Sequence, residues 1–222
     1  MKTVLEQLPA GAKVGIIRLR SLGDCVLTTP AIHLLKSFRP DLKIGVVVED
    51  RFAAVFRGNP DVDAVLSPAL GELTIWGPRL VINFHGGTRS IWLMALALAG
   101  RRAGFQHFVG QAVYNVKMPR AQEVLGVERA VHTAEHLASG MFYLGVPRSE
   151  VPAARLFALQ QPQAFARLMD VLVEASIAYL VAQFRAGADV VQIFESWALN
   201  LDHRAFKERV IAPTVRIVEG VR

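Results

Sequence analysis

Four short stretches carry side chains able to do chemistry. The first is Arg18-Leu-Arg20-Ser21-Leu-Gly23-Asp24-Cys25, with Thr28 and Thr29 a turn further on. A carboxylate that can take a proton sits there beside guanidinium groups that can hold phosphate or carboxylate, and Gly23 permits a close backbone approach. The plainer reading makes Asp24 a helix cap, the arginines solvated charges, and Ser21, Thr28 and Thr29 capping or turn hydroxyls. The second stretch is His85-Gly86-Gly87-Thr88-Arg89. Two glycines can turn backbone N–H groups towards an anion, with Arg89 as charge partner; a tight turn between strand and helix is the alternative. The third, His132-Thr-Ala-Glu135-His136, spells the H-x-x-E-H of some zinc peptidases and puts both histidines on one helix face. Zinc needs a third ligand, for which Glu195 or Glu208 is only a guess, so no metal and no cofactor is expected. The fourth is Glu195-Ser196-Trp197. The single cysteine, Cys25, excludes an internal disulfide and a cysteine-based zinc site. It reads as a small buried thiol, and Trp76 and Trp92 read as packing residues.

These residues need elements to position them. Residues 14–18 read as a buried strand and 25–38 as a helix, with Pro30 bending the helix if it starts earlier. Strands follow at 43–48, 64–66, 80–84 and 102–105, with a short one near 114–116. Helices are expected near 51–57, over 89–99 and over 132–144. Strand alternating with helix predicts a parallel, doubly wound α/β sheet with right-handed crossovers. The chemistry of such a sheet sits at its carboxyl edge, where Asp24 and His85–Arg89 fall. There is no G-x-G-x-x-G, so it is not a dinucleotide fingerprint. Arg148–Gln163 holds two prolines and little periodicity, and reads as a linker. A long helix over 164–186 follows, with Leu168, Leu172, Ala175, Tyr179 and Ala182 on one stripe. Then come a strand at Val190–Phe194 and a last helix capped by Asp202, bent or broken at Pro213.

With 222 residues, 52% hydrophobic content and a mean hydropathy of +0.33, the chain can bury a sizeable core. A net charge of +6 and a pI near 9.9 point to an anionic partner. The basic residues are scattered, which disfavours nucleic acid and leaves phosphorylated sugar, lipid or a membrane surface. No signal peptide is read at the start, and the longest apolar run, Ile91–Gly100, is too short to cross a bilayer.

Two resemblances follow from these stretches. IIRLRSLGDCVLTTPAIHLLK, VVVEDRFAAVFRGNPDVDAVL, LVINFHGGTRSIWLMALALAG, RRAGFQHFVGQAVYN and VHTAEHLASGMFYLG come in the order and spacing of the ADP-heptose lipopolysaccharide heptosyltransferases, glycosyltransferase family nine. Residues 1–157 resemble the N-terminal, acceptor-holding half of that GT-B architecture. The resemblance makes Asp24 the general base, and makes the acceptor site Arg18, Ser21, Gly23, Thr28, Thr29, His85, Gly86, Gly87, Thr88 and Arg89. The acceptor it implies is an anionic sugar-lipid of the Kdo–lipid A type, in a cytoplasmic protein that touches the inner membrane peripherally. From about Gln161, PQAFARLMDVLVEASIAYLVAQFRAGADVVQIFESWALNLDHRAFKERVIAPTVRIVEGVR is similar to an internal piece of uroporphyrinogen decarboxylase, a (β/α)8 barrel. That resemblance makes Ser196 a porphyrinogen contact.

The chain therefore reads as a chimera: a Rossmann-like domain over 1–157, a junction over 158–163, and an α-β-α fragment over 164–222 whose strand could extend the first sheet. ADP-heptose is not expected to bind well, because the donor half of the parent has no counterpart, and little transfer is expected from one half-site. An inactive or designed scaffold, and a decarboxylase-like protein of porphyrin biosynthesis, are the alternative readings. Association of copies is expected if the join leaves an apolar face or a sheet edge uncovered.

Overall fold

The computed structural model describes residues 2–69, 71–148, 161–193 and 201–222. The chain divides into two compact units, Met1–Arg148 and Ser149–Arg222. The first holds six strands: β1 (Lys13–Ile17), β2 (Lys43–Val47), β3 (Ala64–Leu66), β4 (Leu80–Asn83), β5 (Arg101–Phe105) and β6 (Val116–Met118). All pair in parallel, in the order β3-β2-β1-β4-β5-β6. This is the Rossmann-like, doubly wound order, and its direction reverses between β1 and β4. Strands buried on both faces need near-continuous apolar runs, which is what Val14–Ile17 and Leu80–Ile82 supply: all but Gly15 are apolar side chains at or near zero exposure.

Helix α1 (Leu22–Phe38) follows β1, α2 (Glu72–Trp76) precedes β4, and α3 (Thr88–Leu96) follows β4. After β6 come α4 (Ala121–Leu125) and α5 (Thr133–Leu144), and α5 packs against α1. One core cluster gathers Ile16, Ile32, Leu35, Ile44, Phe84, Phe105 and Met141; a second gathers Ile17, Leu19, Val81, Leu93, Met94 and Tyr114. Every buried member of both clusters lies between Leu5 and Val146.

Several expectations are corrected. Helix α1 begins at Leu22, so Pro30 lies inside it. Proline has no N–H to give the Val26 carbonyl one turn back, and the Thr29 hydroxyl donates to that carbonyl instead, at 2.8 Å. The segment near 51–57 is a 3-10 helix over Asp50–Val55. Helix α3 stops at Leu96, and Trp92 is 63% exposed where packing was expected.

In the second unit, α6 (Pro162–Arg185) opens on a proline in its first turn, where a missing N–H costs nothing. Asp202 caps α7 (His203–Phe206), its carboxylate accepting from the Ala205 amide at 2.8 Å. A π-helical turn over Lys207–Ile211 leads into α8 (Ala212–Val221), so the backbone stays helical through Pro213. The strand expected at Val190–Phe194 is not formed over 190–193, and Phe194 lies outside the described residues. A strand stands only on a partner's ladder; the flanking strands of a barrel would supply one, and the six-stranded sheet does not include this segment. Ser196, Glu195 and Trp197, and the junction up to residue 160, lie outside the described residues.

Candidate acceptor site at the carboxyl edge of the sheet

Backbone bonds carry the ladder past the strand ends and fix what stands at the edge. Arg18 donates its amide to the Val47 carbonyl (3.0 Å), Glu49 to Leu19 (3.1 Å) and Phe84 to Ile17 (3.1 Å). The ends of β1, β2 and β4 are thereby drawn together at the point where strand order reverses, the place where open α/β sheets form a crevice.

Arg18 is buried, with 7% of its side chain exposed. Its Nε donates to Thr28 Oγ1 at 3.1 Å, and its Nη1 lies 3.7 Å from Asp24 Oδ2. Burial pulls the guanidinium below its ordinary pKa, and the Asp24 charge opposes that shift. Among the described residues no other acceptor meets this guanidinium, so it keeps donors to spare. Asp24 is the third residue of α1, not its cap; its carboxylate is 42% exposed and accepts from Ser21 Oγ at 3.4 Å. A carboxylate in that first turn also sits favourably in the helix dipole. Thr28 is buried and holds Arg18 while donating to the Asp24 carbonyl at 2.7 Å, and the Thr29 hydroxyl is turned back onto its own helix. Gly23 has open space where a Cβ would stand. Cys25 is buried, and burial pushes its thiol up to about 11, so it is an inert packing group.

On the β4 side, Asn83 organises the turn. Its Oδ1 accepts from the amides of His85 (3.0 Å) and Gly86 (3.1 Å), and its Nδ2 donates to Ser90 Oγ (3.0 Å) and Tyr114 Oη (3.1 Å). Of the two glycine amides read as a possible anion nest, that of Gly86 is already taken by Asn83. What faces outward is the first turn of α3, with Thr88 and Arg89 exposed. Gly86 has φ +75°, and a Cβ there would stand 2.9 Å from the Phe108 ring, so the turn requires glycine twice over. His85 is half-buried, and burial, then Arg18 and Arg20, holds its ring below the ordinary pKa.

Two residues of this edge were not read from sequence. Glu49, after β2, binds Arg51 at 2.8 Å and lies 3.6 Å from Arg89 Nη1. In the sequence Asn83 is simply the polar residue of the strand at 80–84. Both are polar residues at the end of an apolar run, the signal that marks the carboxyl edge. Beyond Arg89 lies a cavity of 710 Å³ lined by Pro68, Ala69, Thr88, Arg89, Trp92, Leu93 and Leu96. It is apolar apart from Thr88 and Arg89, which therefore stand at the boundary between a charged crevice and a greasy groove.

The H-x-x-E-H residues have other work. His132 caps α5, its Nδ1 accepting from the Ala134 amide at 3.2 Å. Glu135 is held by both Arg129 Nη atoms at 2.9 Å. His136 stacks on Phe105 at 4.0 Å, and burial pushes it down to about 4. Glu208 pairs with Arg204 at 2.8 Å. Among the described residues no group of three or more His, Cys, Asp or Glu is placed to hold a metal ion.

Comparison with known proteins finds two likenesses. The uroporphyrinogen decarboxylase family model matches residues 136–222. Uroporphyrinogen decarboxylase of Agrobacterium fabrum is 52% identical over 69 residues, 31% of this chain and 20% of that protein; the Mesorhizobium japonicum enzyme is 49% identical over the same lengths. The chain thus spans about a fifth of these relatives. Among solved structures, a glycosyl transferase family 9 protein from Veillonella parvula aligns over 67% of this chain and 48% of its own, with a TM-score of 0.52 and 20% identity. The E. coli heptosyltransferase WaaC with ADP aligns over 66% and 53%, with a TM-score of 0.55 and 23% identity. At that identity the likeness is one of fold, and the chain spans about half of those proteins. The first unit makes up the same two-thirds share, 148 of 222 residues. A heptosyltransferase-like Rossmann fold and a decarboxylase-like segment therefore stand on one polypeptide.

Proposed function

We propose that the first unit is an acceptor-binding half of a glycosyl-transfer site, joined to a decarboxylase-derived helical segment. Asp24 is the group that would take the proton from an acceptor hydroxyl; Arg18 and Arg89 hold the acceptor's anionic groups, with Ser21, Gly23, His85, Gly86, Gly87 and Thr88 lining the crevice. Thr28 and Thr29 act behind it, Thr28 by fixing Arg18. One observation carries the choice of acceptor: Arg89 borders both the charged crevice and the apolar groove beside Trp92. An anionic headgroup with acyl chains attached matches that pairing, as a Kdo–lipid A type acceptor would. The same groove favours a protein working at the cytoplasmic face of a membrane; no described helix is long and apolar enough to cross one.

Transfer is expected to stay near background for the 222 residues alone. Holding donor against acceptor can supply roughly 7–11 kcal/mol of barrier lowering. The described residues after Arg148 offer α-helices instead of a second Rossmann-like wall. No decarboxylation is proposed from a segment matching a fifth of its relatives. Calorimetric titration with a phosphorylated Kdo–lipid A analogue tests the reading. Binding should weaken about tenfold in Arg89→Ala, the ~1.4 kcal/mol of one charge-assisted contact. It should weaken similarly for an analogue stripped of its acyl chains. Unchanged binding in both arms, or none at all to the folded protein, would overturn it.

A further inference from the structure

Helix α6 carries an apolar seam that nothing above uses. Leu168, Leu172, Ala175, Tyr179 and Ala182 are spaced 4-3-4-3, the 3.5-residue repeat of a coiled-coil seam. The spacing alone would describe any core-facing helix, but these residues are not in a core. Leu168 is 45% exposed, Leu172 50% and Tyr179 65%, and both alanines are exposed. Helix α8 and the π-helical turn before it engage another face of α6, where Arg216 pairs with Asp170 at 2.8 Å and Arg209 lies over the Phe165 ring at 5.5 Å. Only Val173 and Leu180 of α6 are buried, and no residue of α8 is. Two helices with so little buried surface do not account for their own stability.

We propose that this seam is covered by α6 of a second copy of the chain. Three observations select a like partner. First, the residues flanking the seam are Val171, Ala178 and Arg185 on one side and Met169, Ser176 and Gln183 on the other. Flanks of this kind usually carry the charges that choose a different partner; here a single charge remains, and self-pairing brings no like charges together. Second, the seam alternates bulky with small side chains, so the alanines of one helix leave room for Leu172 and Tyr179 of the other. Third, the size fits. Zipping two 24-residue helices along this stripe removes on the order of 1,000 Å² in total, the lower bound for a specific interface. The expected dimer is therefore weak, with a Kd on the order of 10 μM. A seam repeated on both copies closes as a two-fold pair and does not propagate.

In a parallel pair Ala175, at the midpoint of the seam, meets its own symmetry mate; in an antiparallel pair the bulky-to-small fit sets it opposite Tyr179 of the other helix. That makes a direct test. Sedimentation of the full chain from about 1 to 100 μM should show its mass rising from 24.4 kDa towards twice that value. Tyr179→Glu should remain monomeric at 100 μM with its helical CD retained. Under mild oxidation Ala175→Cys (parallel pair) or the double variant Ala175→Cys/Tyr179→Cys (antiparallel pair) should form a disulfide-linked dimer, while Glu174→Cys, one residue off the seam, should not; buried Cys25 does not compete. A monomer at 100 μM overturns the proposal, because the seam is then covered within the chain or waits for a different protein. So does a dimer that Tyr179→Glu leaves intact, or cross-linking no stronger at the seam cysteines than at 174; the cysteine variants decide the matter even if Tyr179→Glu unfolds.

Discussion

At the scale of single residues, Asn83 sets the geometry of the site without reaching into it. It is fully buried, and four hydrogen bonds tie the end of β4 to the His85–Gly86 turn, the start of α3 and Tyr114. Asn83→Ala strands two half-buried amides and empties a buried site, so a loss of about 2–4 kcal/mol in a urea titration is expected, with acceptor binding weakened alongside. A stability change under about 1 kcal/mol would mean that water replaces the carboxamide. His136 makes a different prediction. Burial holds its ring near 4 against an ordinary 6.5, with His107 and Arg18 adding to the effect, and burial lowers His107 and His85 as well. The unfolded chain therefore binds more protons between about pH 4 and 6.5, and stability rises with pH through that window. The contribution is complete above 6.5 and is lost as the pH falls towards 4. Carboxylates with lowered pKa, such as Asp41 beside Arg39 and Glu135 beside Arg129, add their loss at more acid pH. The urea midpoint should drop between pH 7 and 4.5, and His136→Phe, which keeps the stack on Phe105, should reduce that drop clearly. An equal drop in the variant would assign the acid sensitivity to other groups.

At the scale of elements, α1 sets Asp24 on a helix that a proline interrupts. Pro30 is exposed and deprives the Val26 carbonyl of its usual donor, a gap the Thr29 hydroxyl fills. Pro30→Ala restores the amide at an exposed position. Stabilisation of about 1–2 kcal/mol is expected, less than the ~3 kcal/mol propensity difference because Thr29 already serves the carbonyl. It would appear as a rise in Tm of the first unit; a fall would mean that the helix is shaped around its proline. This element also shows what sequence makes legible. Apolar runs such as Val14–Ile17 and Leu80–Ile82 announce strands because a parallel sheet buries both faces. The alternation of strand and helix then leaves the ligand edge as the place where Asp24 and Arg89 must stand. Short elements escape this reading: α2 is five residues long, too few for a period to show. Val190–Ile193 failed oppositely, since β-branched residues signal strand only where another strand is present to pair with. Asn83 and Glu49 were hidden because their roles depend on which strands become neighbours, and strand order is not written locally. Trp92 was misread because amphipathicity marks a face without saying whether anything covers it.

At the scale of the whole molecule, two stability regimes share one chain. All the buried members of the two core clusters come from Leu5–Val146, including many side chains with no exposure at all. The helices beyond residue 161 bury Val173 and Leu180 and little else. At roughly 1.5–3 kcal/mol for each fully buried aliphatic side chain, two such residues cannot offset the backbone entropy of about fifty ordered residues. The helices after 161 should therefore melt first. Far-UV CD of the full chain is expected to show two transitions, the lower one a partial loss of helix. If α6 pairs with a second copy, the lower transition must rise with protein concentration, because anything that binds only the folded form stabilises it by mass action. The upper transition, belonging to the sheet, should stay fixed. A fragment ending at Arg148 should retain that upper transition within about 2 °C, since it keeps every core-cluster residue. One concentration-independent transition for the full chain, with the fragment unfolded, would place the helical segment inside the cooperative core, and the graft would then be a structural necessity of the Rossmann-like unit.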